Sequence, residues 1–182
     1  MNVTFITGNV NKAKYLSELI GIDIKYQSLD LREIQSLDIR EIVTYKALEA
    51  FHVIGEPVLV EDVSLEFESM GGLPGPFIKF FLQAMSLKEI CHLLDGTERK
   101  AVVRCIFGYC IDGDVSLVEA GLKGTIAFEP EGHTTFGFDS IFIPDGYQTT
   151  RAMLSKEDDL MTYMQMKPIK AVKELILNSK HI

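Results

Sequence analysis

Apolar and polar positions change their period several times along the chain, and each change marks an element. Residues 2–6 form a short β-rich run that stops at Thr7-Gly8-Asn9. Beyond it Ala13, Leu16, Leu19 and Ile20 recur at spacings of three and four, which predicts a helix. Residues 22–29 alternate like a half-buried strand. Residues 39–54 predict a second helix with Ile42, Val43, Ala47, Ala50 and Phe51 on one face, closed by Gly55. Residues 57–60 read as a short buried strand, and Leu65 and Phe67 continue with strand-like alternation. Gly71-Gly72-Leu73-Pro74-Gly75-Pro76 is too rich in glycine and proline to be anything but a shaped loop, and helical segments at 77–84 and 87–94 follow it. Apolar runs at 101–111 and 115–126 flank Asp112-Gly113-Asp114, a hairpin signal. A strand at 141–143 and a helix at 168–178 close the chain. Interleaved early elements and a late hairpin predict an α/β protein whose mixed, elongated sheet is flanked by helices.

The chain has 182 residues without repeat, low-complexity tract or linker, which reads as one domain over 1–182. At 47% apolar and 24% charged residues it is neither a disordered chain nor a disulfide scaffold. Eighteen basic against 26 acidic residues give a net charge of −8, a sign that repels nucleic acid and anionic membrane. It leaves room for a small polyanion, because a few lysines in one place outvote a distant surface. Cys91, Cys105 and Cys110 match no metal or redox spacing, and Cys105 and Cys110, within the apolar run at 101–111, read as buried thiols of a reducing compartment. With neither a leader-like start nor an apolar stretch of membrane-spanning length, the expectation is a cytoplasmic protein.

Four segments offer chemistry. Thr7-Gly8-Asn9-Val10-Asn11-Lys12 lies where a strand hands over to a helix, whose free N–H groups and positive end suit phosphate. Gly8 admits a close backbone approach, Thr7 and Asn9 can donate, and Lys12 adds charge one turn in. The same residues also read as a plain N-cap with a surface lysine. Glu61-Asp62 follows the strand at 57–60, where carboxylates can hold Mg²⁺ and polarise a water, or simply form a solvated acidic turn. The Gly71–Pro76 loop delivers Lys79 in the first turns of a helix, either toward an anion or into solvent. In Phe136-Gly137-Phe138-Asp139 two aromatics can grip a flat base while the aspartate accepts from ring N–H groups, or the phenylalanines are core.

Order and spacing say more than any one segment. T-G-N-x-x-K, V-E-D after a strand, G-G-L-P-G-P-F-I-K and F-G-F-D-x-I-F together resemble the inosine/xanthosine triphosphate pyrophosphatase family, from residue 2 to about 147. The resemblance implies two lobes with a central cleft, a homodimer, and Mg²⁺-dependent cleavage of non-standard purine nucleoside triphosphates (ITP, dITP, XTP) to the monophosphate and pyrophosphate. It places Thr7, Gly8, Asn9 and Lys12 in the triphosphate-binding turn, and Lys46 and Lys79 at the phosphates. It makes Glu33 and Asp62 the metal ligands, with Asp62 also activating water, and Phe136, Gly137, Phe138 and Asp139 the base-binding segment.

Two departures stand out. The family carries Ser or Thr directly after the catalytic aspartate; here Val63 stands there and Ser64 comes one later. The family also carries a lysine and then Ser-His-Arg before the last helix to bind the nucleotide and read the base. This chain has no such triplet, and Lys167 is the cation that stands near its place. Weaker selectivity for ITP and XTP over ATP and GTP is therefore expected. The alternative reading is a non-catalytic nucleotide-binding protein that retains the same fold. A Rossmann-type oxidoreductase is disfavoured, because no G-x-G-x-x-G follows the first strand.

Overall fold

Most element boundaries carry a visible local cause. The structure, a computed structural model, describes residues 3–133 and 137–178. Strand β1 (Thr4–Ile6) is wholly buried and leads into helix α1 (Val10–Ile20). Asn9 caps α1 by accepting the Lys12 N–H at 3.1 Å, and Ala13, Leu16 and Ile20 form its buried face. After β2 (Lys25–Gln27), helix α2 (Ile39–Ile54) opens on Asp38, whose Oδ1 accepts the Arg40 N–H at 2.9 Å; it stops at Gly55. Strand β3 (Val58–Phe67), the short β4 (Pro74–Gly75), and helices α3 (Ile78–Ala84) and α4 (Leu87–His92) follow. Strands β5 (Lys100–Ile111) and β6 (Asp114–Ile126) are joined through Asp112 (φ 52°) and Gly113 (φ 87°). Two consecutive positive φ values are what a type I′ turn requires, so Asp-Gly specifies this hairpin. Strand β7 (Phe142–Pro144) and helices α5 (Lys156–Met166) and α6 (Ile169–Asn178) complete the fold.

The seven strands form one sheet in the order β2-β1-β3-β5-β6-β7, with β4 added on β3. β1 runs parallel to β2 and β3, whereas the β3–β4 and β6–β7 pairs are antiparallel. The mixed α/β sheet expected from the pattern is present.

Three elements differ from expectation. The strand expected over 22–29 is only Lys25–Gln27, with all three residues exposed. It is an edge strand, and an exposed edge suits charged and polar side chains. The strand expected to end at Val60 runs unbroken to Phe67, so Glu61 and Asp62 sit inside β3 and not in a turn after it. Helix α5 has no counterpart in the apolar pattern. It forms because Ser155 caps it, accepting the Asp158 N–H at 3.1 Å, and because Glu157, Asp158 and Asp159 fill its first turn where the dipole favours negative charge.

The chain divides into two compact units. The first comprises Met1–Asp62, Cys105–Glu119 and Pro168–Ile182, the second Val63–Arg104 and Ala120–Lys167. Three of the passages between them fall within β3, β5 and β6, which is why no linker composition marks them. In the first unit, Ile39, Val43, Ala47 and Ala50 of α2 pack with Ile6, Val58, Val60, Ile106 and Cys110. In the second, Leu65, Phe67, Ile90, Leu94, Val103, Ile126 and Phe142 form the centre. There the buried Arg99 donates from Nε to Ile126 O at 2.8 Å and from Nη2 to Cys91 O and Ala127 O, tying the end of α4 to the end of β6. All three cysteines are free and buried, and burial pushes the Cys91 thiol up to about 11. Among the described residues no helix is long and apolar enough to cross a membrane.

Candidate active site

In the first unit the turn after β1 is built from its own side chains. Thr7 Oγ1 accepts the Asn9 N–H at 3.1 Å and Asn9 Oδ1 accepts the Lys12 N–H, with Gly8 exposed between them. The oxygens of Thr7 and Asn9 are thus spent on the turn, which leaves the hydroxyl hydrogen and the amide NH₂ as groups able to donate outward. Asn9 is an N-cap, as the plainer reading held. Lys12, its side chain about one-third exposed, is tied down by an ion pair: its Nζ lies 2.8 Å from Glu61 Oε2, and the Glu61 side chain is only 2% exposed.

Sequence reasoning named Glu61 with Asp62 as a carboxylate pair but missed its role as the anchor of two lysines. Glu61 also accepts a hydrogen bond from Cys105 Sγ at 3.3 Å, and its backbone carbonyl accepts one from Lys46 Nζ at 3.5 Å. Lys46 lies on α2 beside that helix's buried face and reaches the other way to Glu33 Oε1 at 3.9 Å. Glu61 of β3 therefore gathers a lysine from α1 on its carboxylate and a lysine from α2 on its backbone carbonyl, and the second lysine draws in Glu33 from the segment between β2 and α2. That segment is itself anchored on α2, since the Arg32 N–H donates to Glu49 Oε2 at 2.9 Å. Asp62 is the next residue of β3 and is half-buried.

Oxygen donors from Glu33 and Asp62, without thiol or imidazole, are the ligand type Mg²⁺ takes. Among the described residues no group of three or more His, Cys, Asp or Glu side chains forms a metal cluster. By donor type two carboxylates suit this ion, which completes its shell with waters and phosphate oxygens. The donor set fits.

Ser64 does not take over the hydroxyl that Val63 lacks. It is fully buried, and its Oγ donates to Glu66 Oε1 at 2.7 Å, within a pair that Arg104 closes from Nε and Nη2 at 3.1 and 3.2 Å.

The remaining predicted residues belong to the second unit. Lys79 stands exposed in the first turn of α3, as expected from the Gly-Pro loop, part of which pairs with β3 as β4. Phe136 lies outside the described residues. Gly137 adopts φ 41°, and Phe138 is partly buried against the unit's core, so core packing takes part of its surface. The Asp139 side chain is 19% exposed and pairs with Arg151 Nη1 at 3.2 Å. Burial pushes its carboxyl up and the Arg151 guanidinium pulls it back; Asp159 raises it further and Lys167 lowers it. Lys167 ends α5, is buried, and holds its Nζ 5.7 Å from the centre of the Tyr163 ring.

The sequence profile of the Ham1 family matches residues 3–174. The chain belongs to the Ham1 family. This Ham1-family chain is 38% identical over 176 residues to inosine triphosphate pyrophosphatase 2 of Trypanosoma cruzi, covering 94% of its own length and 90% of that protein. It is 37% identical over 163 residues to the dITP/XTP pyrophosphatase of Methanopyrus kandleri, with 87% of each chain covered. A HAM1 protein structure from Coxiella burnetii superimposes with a TM-score of 0.85 over 98% of this chain and 99% of that one, at 21% identity. That last likeness establishes the fold alone.

Proposed function

We propose that the chain is a Mg²⁺-dependent pyrophosphatase of non-standard purine nucleoside triphosphates, converting ITP, dITP or XTP to the monophosphate and pyrophosphate. The observation that carries this reading is the convergence on Glu61, which Lys12 and Lys46 both reach, with Lys46 also holding Glu33 and Asp62 following Glu61 in the same strand. The names of the relatives from Trypanosoma cruzi and Methanopyrus kandleri support the substrate class. On this reading Glu33 and Asp62 would hold Mg²⁺, which when bound supplies charge neutralisation and polarisation at the phosphates. Lys12 and Lys46 bind phosphate oxygens and offset the charge that builds in the transition state. Asp62 accepts a proton from the attacking water. The water oxygen bonds to the α-phosphorus, the α–β bridging bond breaks, and pyrophosphate leaves. No protein nucleophile enters, in keeping with the lack of a nucleophilic-serine motif in the sequence. The family resemblance further implies a homodimer, and the free cysteines suit the cytoplasm.

The test is pyrophosphate release over a panel of ITP, dITP, XTP, GTP and ATP with Mg²⁺ and after chelation. Release is expected fastest for the first three and lost with chelator. Tight nucleotide binding without release from any of them would establish the non-catalytic alternative instead.

Lys12→Met is expected to raise KM for ITP about tenfold, the scale of one lost charge-assisted hydrogen bond. The gap from wild type should narrow as salt screens the charge. An unchanged KM at low salt would remove Lys12 from the phosphate site.

A further inference from the structure

Arg151 centres a polar cluster in the second unit that the chemistry above does not use. It belongs to a 3₁₀ turn and is only 4% exposed. Its Nε donates to Thr162 Oγ1 at 3.2 Å, Nη1 to Asp139 Oδ1 at 3.2 Å, and Nη2 to Asp159 Oδ1; Met166 Sδ lies 3.7 Å from Nη1. Thr162 is held in turn, since its Oγ1 donates to Asp159 O at 3.0 Å. Lys167, 6% exposed, is the second cation acting on Asp139. Two cations thus balance two carboxylates.

Such a cluster is a weak device for stability, because apolar residues of similar volume would serve as well or better. What apolar residues cannot do is fix the charge and direction of a carboxylate. A guanidinium with its donors divided over three side chains is a rigid holder, and Asp139 is the member that follows Gly137-Phe138, the segment read as meeting the base. Burial alone would favour the protonated acid there, so the ionised form depends on the cations beside it.

The charge state decides which purine fits. A carboxylate only accepts, and the 6-keto purines hypoxanthine and xanthine carry a hydrogen on ring nitrogen 1, whereas adenine has a bare acceptor there. A protonated acid can donate to that bare nitrogen and loses the preference. We propose that Arg151 is a positioning residue for base selectivity, holding the Asp139 carboxylate ionised and aimed at the ring N–H of a 6-keto purine. This rests on the nucleotide reading given above. The expectation of weak selectivity counted only donors to O6 before the last helix; the cluster reads a different atom of the same edge.

The experiment measures kcat/KM for ITP and ATP from acidic to neutral pH in wild type, Arg151→Gln, Arg151→Lys and Asp159→Asn, with thermal melts as a fold check. Taking the ratio cancels titrations of the triphosphate common to both substrates. Wild type should favour ITP, by less than the 10⁴-fold scale of full hydrogen-bond discrimination, and lose the preference as acid protonates Asp139. In Arg151→Gln the midpoint of that loss moves to higher pH. In the acidic range around that midpoint the ratio falls, up to about tenfold for a one-unit change in Asp139, mainly through KM for ITP. Arg151→Lys restores part of the ratio. Asp159→Asn removes a carboxylate that opposes ionisation of Asp139, so its midpoint moves to lower pH. A purely structural cluster would not separate the two variants in opposite directions. Displacement of both midpoints in the same direction, or a midpoint in folded Arg151→Gln equal to that of wild type, overturns the proposal. Should Arg151→Gln not fold, Asp139→Asn decides: an unchanged ratio there overturns it equally. Wild type that releases no pyrophosphate from ITP would overturn the function reading itself; active wild type with unmoved variants overturns only the role of Arg151.

Discussion

Asp62→Asn is expected to lower pyrophosphate release from ITP by about 10²- to 10⁴-fold, the range for loss of a positioned general base, while nucleotide binding survives. The substitution keeps the size of the side chain and one oxygen but removes its ability to take a proton. The partners that hold phosphate, Lys12 on Glu61 and Lys46 between Glu61 and Glu33, rest on other side chains and on a backbone carbonyl. The effect should therefore fall on kcat with KM little changed. Steady-state kinetics beside nucleotide-binding calorimetry separates the two. Turnover near wild type would remove Asp62 from the mechanism, and parallel loss of binding and turnover would leave it the metal-holding role without that of base.

The parts of the fold that were legible in the sequence are those with local causes. Helix α2 was read residue for residue because an apolar stripe runs up to Gly55, and the β5–β6 hairpin because Asp112-Gly113 permits two positive φ values. The lysine pairing of Glu61 was not legible. A Glu-Asp pair interrupts an apolar run, so it reads as the end of a strand, and nothing nearby reveals that a lysine forty-nine positions earlier (61 minus 12) neutralises it. Arg151 was hidden for the same reason. In a run of threonines it looks like a surface residue, and its burial depends on carboxylates that arrive from the Gly137–Phe138 turn and from α5. Helix α5 escaped because its cause is capping and charge, not an apolar face. Local chemistry was readable; long-range charge pairing was not.

The largest expected loss of stability from adding a single carbon is at Gly124. This glycine lies in β6 opposite Pro144 of β7, and a Cβ there would collide with Ile143 O, come within 2.7 Å of Phe142 Cζ and 3.0 Å of Ile143 C. Two of the three obstacles are backbone of the paired strand, which cannot turn aside as a side chain does. Gly108→Ala makes the contrast. Its Cβ would meet Val43 Cγ1 at 2.7 Å and Val60 Cγ2 at 3.2 Å, both methyl groups able to yield. Gly124→Ala should therefore cost about 3 kcal/mol, at the upper end for overpacking, and Gly108→Ala about 1–2 kcal/mol. For a chain of this size those figures lower Tm by about 10 °C and about 5 °C, which thermal melts resolve. The consequence reaches the site, because β7 begins three residues after Asp139 and Phe142 belongs to the core against which Phe138 packs. Folded Gly124→Ala should also lose ITP preference, since a displaced Phe142 loosens the turn that carries Asp139 to Arg151. A melt within a degree or two of wild type, with its selectivity intact, would break the β6–β7 pairing on which that turn is built.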